Sequence, residues 1–211
     1  FFSLKSNLSK NIIDASPMLW KLRIIKSNSE IDKINHICKI TSDAYENLPL
    51  LIKEGDSERD ISRKLRIDLI SRGADSISFL PIVSGEGGVS QIICEPTNRR
   101  LKNGDILFID TGSTYDGYFC DFDRNYSIGK VSDIVNDVYE ILWIATQSAI
   151  DVAKPGITLS DLWQIMVEKL DKYLPKNYSY GRFGHGMGLQ LTEPPSIIFD
   201  NKMELVSNMV L

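Results

Sequence analysis

Asp110, Asp121 and His185 are the residues of this 211-residue chain whose types and settings could do chemistry together. Ile106 to Ile109 is a short apolar run of the kind a buried strand makes, and it ends on the carboxylate of Asp110. A turn rich in Gly, Ser, Thr and Asp follows, with Asp116-Gly117 as a hairpin signal. The next stretch alternates, with Tyr118, Cys120 and Phe122 on one face and Phe119, Asp121 and Asp123 on the other. With the turn centred on Tyr115-Asp116, Asp110 and Asp121 stand opposite each other. Like charges opposed across a ladder are destabilising, and more so beside an apolar strand. A hard divalent cation between them removes the conflict. A solvated turn could carry two such aspartates as well. What singles this pair out is a second signal, Phe183-Gly184-His185-Gly186-Met187-Gly188-Leu189, in which glycines leave a single imidazole room. Two carboxylates and an imidazole make a mixed oxygen and nitrogen donor set suited to Mn, Fe, Co or Zn.

These groups need rigid elements to hold them, and the chain supplies helices and strands in a repeating order. Residues 1–28 read as a linker into a domain beginning near Ser29. Ser29 with Asp32 signals a helix start, and an apolar stripe carries that helix to about Ile52. A second helix spans Ser57 to about Ser71 and ends at Gly73. Strand is expected from Ile77 to Val83 and again from Gln91, around the glycine-rich segment 84–88. That segment lacks the Lys-Ser/Thr ending of a phosphate loop. A third helix is expected over about 132–153 and a fourth over about 158–173. Lys53-Glu54-Gly55-Asp56-Ser57-Glu58-Arg59-Asp60-Ile61 is echoed 101 residues later by Lys154-Pro155-Gly156-Ile157-Thr158-Leu159-Ser160-Asp161-Leu162. Each copy joins a longer helix to a shorter one, which points to a duplicated α+β domain.

The totals exclude several classes. The chain is 43% hydrophobic and 25% charged, with a net charge of −4 and a pI near 5.3. That is enough apolar content for a sizeable core and too little clustered basic charge for nucleic acid or an anionic membrane. No run reaches the roughly 20 apolar residues of a membrane span. Cys38, Cys94 and Cys120 are odd in number and scattered, as expected of thiols in a cytoplasmic protein.

Together, Asp110 and Asp121 within Gly-Asp-x4-Asp-x-Gly and Gly-Tyr-x2-Asp-x-x-Arg, followed by Gly184-His185-Gly186-Met187-Gly188-Leu189 and Glu193-x-Pro, resemble the creatinase, Xaa-Pro aminopeptidase and methionine aminopeptidase superfamily. The Xaa-Pro aminopeptidase and creatinase branch is the nearest, and the resemblance covers roughly residues 19–211. It implies the pita-bread fold, a duplicated α+β structure. It implies an enzyme that cleaves an amide bond with a metal-bound hydroxide held by two divalent ions. Asp110, Asp121 and His185 match three of that family's five metal ligands. Leu205 to Leu211 matches the start of the segment that leads to the fourth. The chain as it stands is therefore expected to lack the last strands and to hold metal incompletely or not at all. An open sheet edge would favour a homodimer. By the same resemblance His185 and Glu193 are assigned to catalysis, and Thr192, Ile93 and Tyr118 to substrate contact. Thr192 and Ile93 stand where family peptidases commonly carry histidine, and Asp123 where the family often has threonine. The substrate expected is a peptide, or a small amide of the kind creatinase and ectoine hydrolase cleave. A binding module that keeps the fold without catalysis is the remaining alternative.

Overall fold

The computed structural model describes residues 13–85, 94–175 and 178–211. The first half begins with helix α1 (Ser16–Ile24), α2 (Asn28–Leu51) and α3 (Glu58–Ser71). Four strands follow: β1 (Ser76–Phe79), β2 (Ile82–Ser84), β3 (Ile106–Tyr115) and β4 (Tyr118–Ser127). The second half holds α4 (Asp133–Val152), α5 (Leu159–Leu170) and a short hairpin of β5 (Gly184–Gly186) and β6 (Glu193–Ile197).

All pairings are antiparallel, and β3 is the centre of the sheet. β1 and β2 lie end to end along one edge of β3, and β4 runs along the other. The single strand expected over 77–83 is split because Pro81 has no amide hydrogen to give the ladder. Its carbonyl instead accepts from Asp110 N at 3.2 Å.

One face of this sheet is covered by α2 and α3. Ile37, Leu48, Ile61, Leu65, Leu69, Leu107 and Ile109 are fully buried there and form the core. Burial of such side chains contributes about 1.5–3 kcal/mol each. Polar groups on the same face are paired: Tyr45 Oη bonds to Thr111 Oγ1 at 2.7 Å, and Thr41 Oγ1 to Ser113 Oγ at 2.9 Å. Because side chains alternate along a strand, this packing sends Asp110, Asp121 and Asp123 to the opposite face.

Helix α2 starts two residues earlier than Ser29 suggests. Ser27 is its cap, with Ser27 N donating to Glu30 Oε2 at 2.7 Å while Ser27 Oγ accepts from Glu30 N. The stretch read as linker carries helix α1, and Lys26 just after it is buried.

The sequence echo is a structural repeat. Gly55 and Gly156 both take positive φ, +89° and +94°, and Ser57 and Thr158 both cap the following helix with the aspartate three residues on. Each joint then docks on a later segment through the same backbone bonds. Gly55 N, Glu58 N and Arg59 N donate to the carbonyls of Leu101, Arg99 and Thr97. Gly156 N, Leu159 N and Ser160 N donate to those of Leu205, Met203 and Asn201. Gly104 and Asn208, three residues past those leucines, both have positive φ. Among the described residues no helix is long and apolar enough to cross a membrane.

Candidate metal centre

The β3–β4 hairpin sets the carboxylates. Its turn is centred one position later than Tyr115-Asp116, because the central residues are Asp116 and Gly117, with φ of 47° and 81°. Both central residues of a tight primed turn need positive φ, and Asp-Gly meets that demand. Tyr115 therefore pairs with Tyr118, Asp110 with Asp123, and Asp121 with Gly112. Asp123, not Asp121, is directly opposite Asp110. All three carboxylates still share one face, with Asp121 diagonal to Asp110.

Their electrostatics show the conflict. Burial first, then the charges of Asp121 and Asp123, push Asp110 up to about 7. Hydrogen bonding between the two carboxyls adds to the rise at Asp110 and works against it at Asp121. Burial also raises Asp121, against the opposing charges of His185 and Arg182. Asp123 is raised by burial against Arg124.

His185 reaches this face from the β5–β6 hairpin. Its Nε2 lies 3.2 Å from Asp121 Oδ2. Its Nδ1 is 2.9 Å from the carbonyl of Gly186, which can only accept, so Nδ1 carries the hydrogen. Nε2 then faces the Asp121 carboxylate. Orienting a ring through its far nitrogen is how protein metal ligands are prepared. Among the described residues, no three His, Cys, Asp or Glu side chains are already gathered at coordinating distance. His185 Nε2 and Asp121 Oδ2 are within reach of each other. The chemistry of the set fits a divalent ion, which Asp110, Asp121 and His185 could hold.

The hairpin is seated by close backbone approaches. Phe119 N donates to Gly188 O at 2.8 Å, joining it to β4. A side chain at Gly112 would meet Leu191 at 2.9 Å, and one at Gly186 would meet Pro194 O at 2.6 Å. Glycine is required at Gly186, where the obstacle is backbone, while at Gly112 the Leu191 side chain would have to shift.

The other expected site residues are distributed differently. Thr192 is exposed on the hairpin. Glu193 is 2% exposed; its Oε1 accepts from Arg23 and from Gln190 N, and Lys26 Nζ is 3.5 Å from its Oε2. Tyr118 does not join the carboxylate face. It lies on the helix side of β4, where its hydroxyl donates to Glu30 Oε1 of α2 at 2.9 Å. The alternation of the strand already placed it with Cys120 and Phe122, away from Asp121. Ile93 lies outside the described residues. Arg23 and Lys26 were given no role from the sequence, although cations in and just after the apolar run Leu19 to Ile25 were a signal that something paired with them.

The sequence pattern of metallopeptidase family M24 matches residues 32–211. The chain belongs to that family. Over 210 residues it is 30% identical to an Xaa-Pro dipeptidase of Pyrococcus furiosus, covering all of this chain and 60% of that protein. The X-Pro aminopeptidase structure from Thermotoga maritima superposes with a TM-score of 0.85 at 29% identity, over 95% of this chain and 57% of that one. The Xaa-Pro dipeptidase from Bacillus anthracis gives 0.89 at 27% identity, over 97% and 58%. The fold is the pita-bread fold, and the nearest branch is the Xaa-Pro one. The chain spans little more than half the length of these relatives.

Proposed function

We propose that this protein is a divalent-metal-dependent hydrolase that cleaves an amide bond, with a peptide of the Xaa-Pro type as its first substrate class. The observation that carries this reading is that Asp110 and Asp121 share one face of the β3–β4 hairpin while His185 Nε2 reaches Asp121 from the β5–β6 hairpin, its Nδ1 turned to the Gly186 carbonyl. When bound, two ions of the Mn, Co, Fe or Zn class supply Lewis-acid polarisation of the carbonyl and lower the acidity constant of water. The chain's own groups do the rest. Asp110, pushed up to about 7, must be ionised before it can hold a cation. His185 supplies the nitrogen donor. The sheet keeps both aspartates on rigid strands, and the helix-covered face behind them closes that side to water. Thr192, exposed on the hairpin, can donate a hydrogen bond to a substrate carbonyl but cannot act as a general acid near neutral pH.

That last point supports a second reading. The chain has two histidines, and His36 stacks on Tyr115 at a centroid distance of 4.4 Å. Proton donation of the kind the branch's peptidases draw from further histidines has no source among this chain's imidazoles. A small amide substrate of the creatinase or ectoine hydrolase type fits the site about as well. We place the protein in the cytoplasm as a homodimer; Trp143, Leu142 and Ile134 of α4 are exposed apolar groups that a second copy could cover. The test is hydrolysis of an Xaa-Pro dipeptide panel and of small amides, each with added Mn, Co or Zn. Asp121→Asn should abolish turnover while circular dichroism stays unchanged. Full turnover by that variant would refute the metal-dependent reading, and turnover of small amides alone would select the second.

A further inference from the structure

We propose that Arg23, Lys26 and Glu193 form a buried clasp that sets the position of His185, so that Glu193 serves as a positioning residue and not as a proton carrier. The proposal rests on reading His185 as a metal ligand.

The three charges come from segments 170 residues apart, and burying Lys26 and Glu193 carries a cost that needs a return. The Glu193 side chain is 1% exposed and that of Lys26 is 2%, while Arg23 keeps 27%. Arg23 Nη2 donates to Glu193 Oε1, which also accepts from Gln190 N at 3.0 Å. Glu193 Oε2 makes no hydrogen bond and faces Lys26 Nζ at 3.5 Å. Glu193 Oε1 is thus committed to a cation and to backbone, and Oε2 faces a second cation. The surroundings press on Lys26 as well: burial lowers its proton affinity, and the charge of Glu193 works against that.

The clasp sits where three segments meet. Lys26 N donates to Asn208 O at 2.9 Å, Ile25 bridges to Met209, and Met187 N donates to Val210 O at 3.4 Å. Glu193 itself is the β6 partner of Gly186, the residue next to His185. A Cβ on Gly188 would lie 3.0 Å from Lys26 Cε and 3.2 Å from both oxygens of Glu193. The glycines around His185 therefore let the clasp touch the loop's backbone directly. A shift of Glu193 must move residues 185–188, because no side chain lies between to absorb it. The β3–β4 carboxylates are fixed by a full ladder, so the clasp decides whether Nε2 meets them.

The experiment follows the imidazole directly. With two histidines in the chain, long-range proton–nitrogen spectra resolve His185 against His36 as internal reference. Glu193→Gln keeps the shape and removes the charge. It should move the His185 nitrogen resonances, leave those of His36 in place, and weaken cobalt binding to the intact protein about tenfold or more. A folded Glu193→Gln protein with wild-type His185 resonances and wild-type cobalt affinity would overturn the clasp. Should that variant fail to fold, Lys26→Met removes one cation and keeps Arg23. His185 resonances that stay put in Lys26→Met would overturn the clasp equally. Asp121→Asn, titrated in parallel, separates the two ideas. Undiminished cobalt binding there sinks the metal reading, while the His185 resonances still decide the clasp.

Discussion

The metal-free protein should lose stability as pH rises from about 4 to 7, the reverse of ordinary acid denaturation. Asp110 is pushed up to about 7 from a model-peptide value of 3.8, by burial first and then by Asp121 and Asp123. A folded-state value above the unfolded one means that the native state binds the proton more tightly. Its contribution is fully present below the unfolded value and is lost as pH climbs through the folded one. Taken whole, the shift corresponds to about 4 kcal/mol, of which roughly 2.5 kcal/mol falls between pH 5 and pH 8. Solvent on the open side of the face screens the group, so about 1–2 kcal/mol is the expected loss. Asp121 and Asp123 are raised as well, so their sign agrees. The carboxylates with lowered values, such as Asp105 beside Arg99 and Glu30 at the cap of α2, work in the opposite direction. Their contribution is complete by pH 5. The assay is urea denaturation in the presence of a chelator at pH 5, 6, 7 and 8, on wild type and Asp110→Asn. The wild-type midpoint should fall across the series and that of Asp110→Asn should stay nearly level. Excess divalent ion at pH 8 should restore the wild-type loss. Equal slopes in the two proteins would refute the argument, because the pH dependence would then belong to other groups.

Gly186→Ala should destabilise the protein by about 2–3 kcal/mol, since the new methyl meets backbone at Pro194 and not a flexible side chain; thermal denaturation reads this, and a loss below 0.5 kcal/mol would contradict it. Ser57→Ala and Thr158→Ala should each cost about 1 kcal/mol and by similar amounts, because the two joints use the same capping box; a cost at only one would break the structural equivalence of the halves. Glu58→Ala should cost about 3 kcal/mol or more in chemical denaturation. Its buried carboxylate takes hydrogen bonds from Ser84 Oγ at 2.7 Å and from Thr97 N and Oγ1 at 2.9 and 2.7 Å.

How much of this was readable in the sequence depends on where each instruction is written. The repeat was visible because its joint is encoded in side chains: a glycine for positive φ and a Ser/Thr with Asp three residues on. The docking of each joint on residues 97–101 and 201–205 was not visible, because backbone amides and carbonyls make those bonds and ask little of residue type. The three candidate donors could be singled out because glycine and turn signals surround them. Their register was misread by one pair. Asp116-Gly117 was noticed as a hairpin signal, but its demand for positive φ at both central residues was not used to fix the centre. The role of residues 23–26 was hidden for a different reason. A polar stretch near a terminus reads as linker until its partner is known, and Glu193 is 170 residues away.

These differences locate the weak seam of the site. Asp110, Asp121 and Asp123 sit on two strands joined by ten consecutive pairs, above a core that fixes the other face. Nothing in that unit can move one carboxylate without moving all three. His185 comes from a hairpin of three and five residues whose ladder is already irregular between His185 and Gly186. It touches the first half through Phe119 N, Asp121, the packing of Leu191 on Gly112, and the contacts of Arg23 and Lys26 with Glu193. The enthalpy of binding a cation is set by all the donors, but the variable term is how far this hairpin must travel to complete the set. Substitutions behind His185 should therefore change metal affinity more than substitutions behind the aspartates at equal cost in stability. A short hairpin carrying the nitrogen ligand also explains why charges as costly as Lys26 and Glu193 are kept buried: they hold the one donor that the sheet does not.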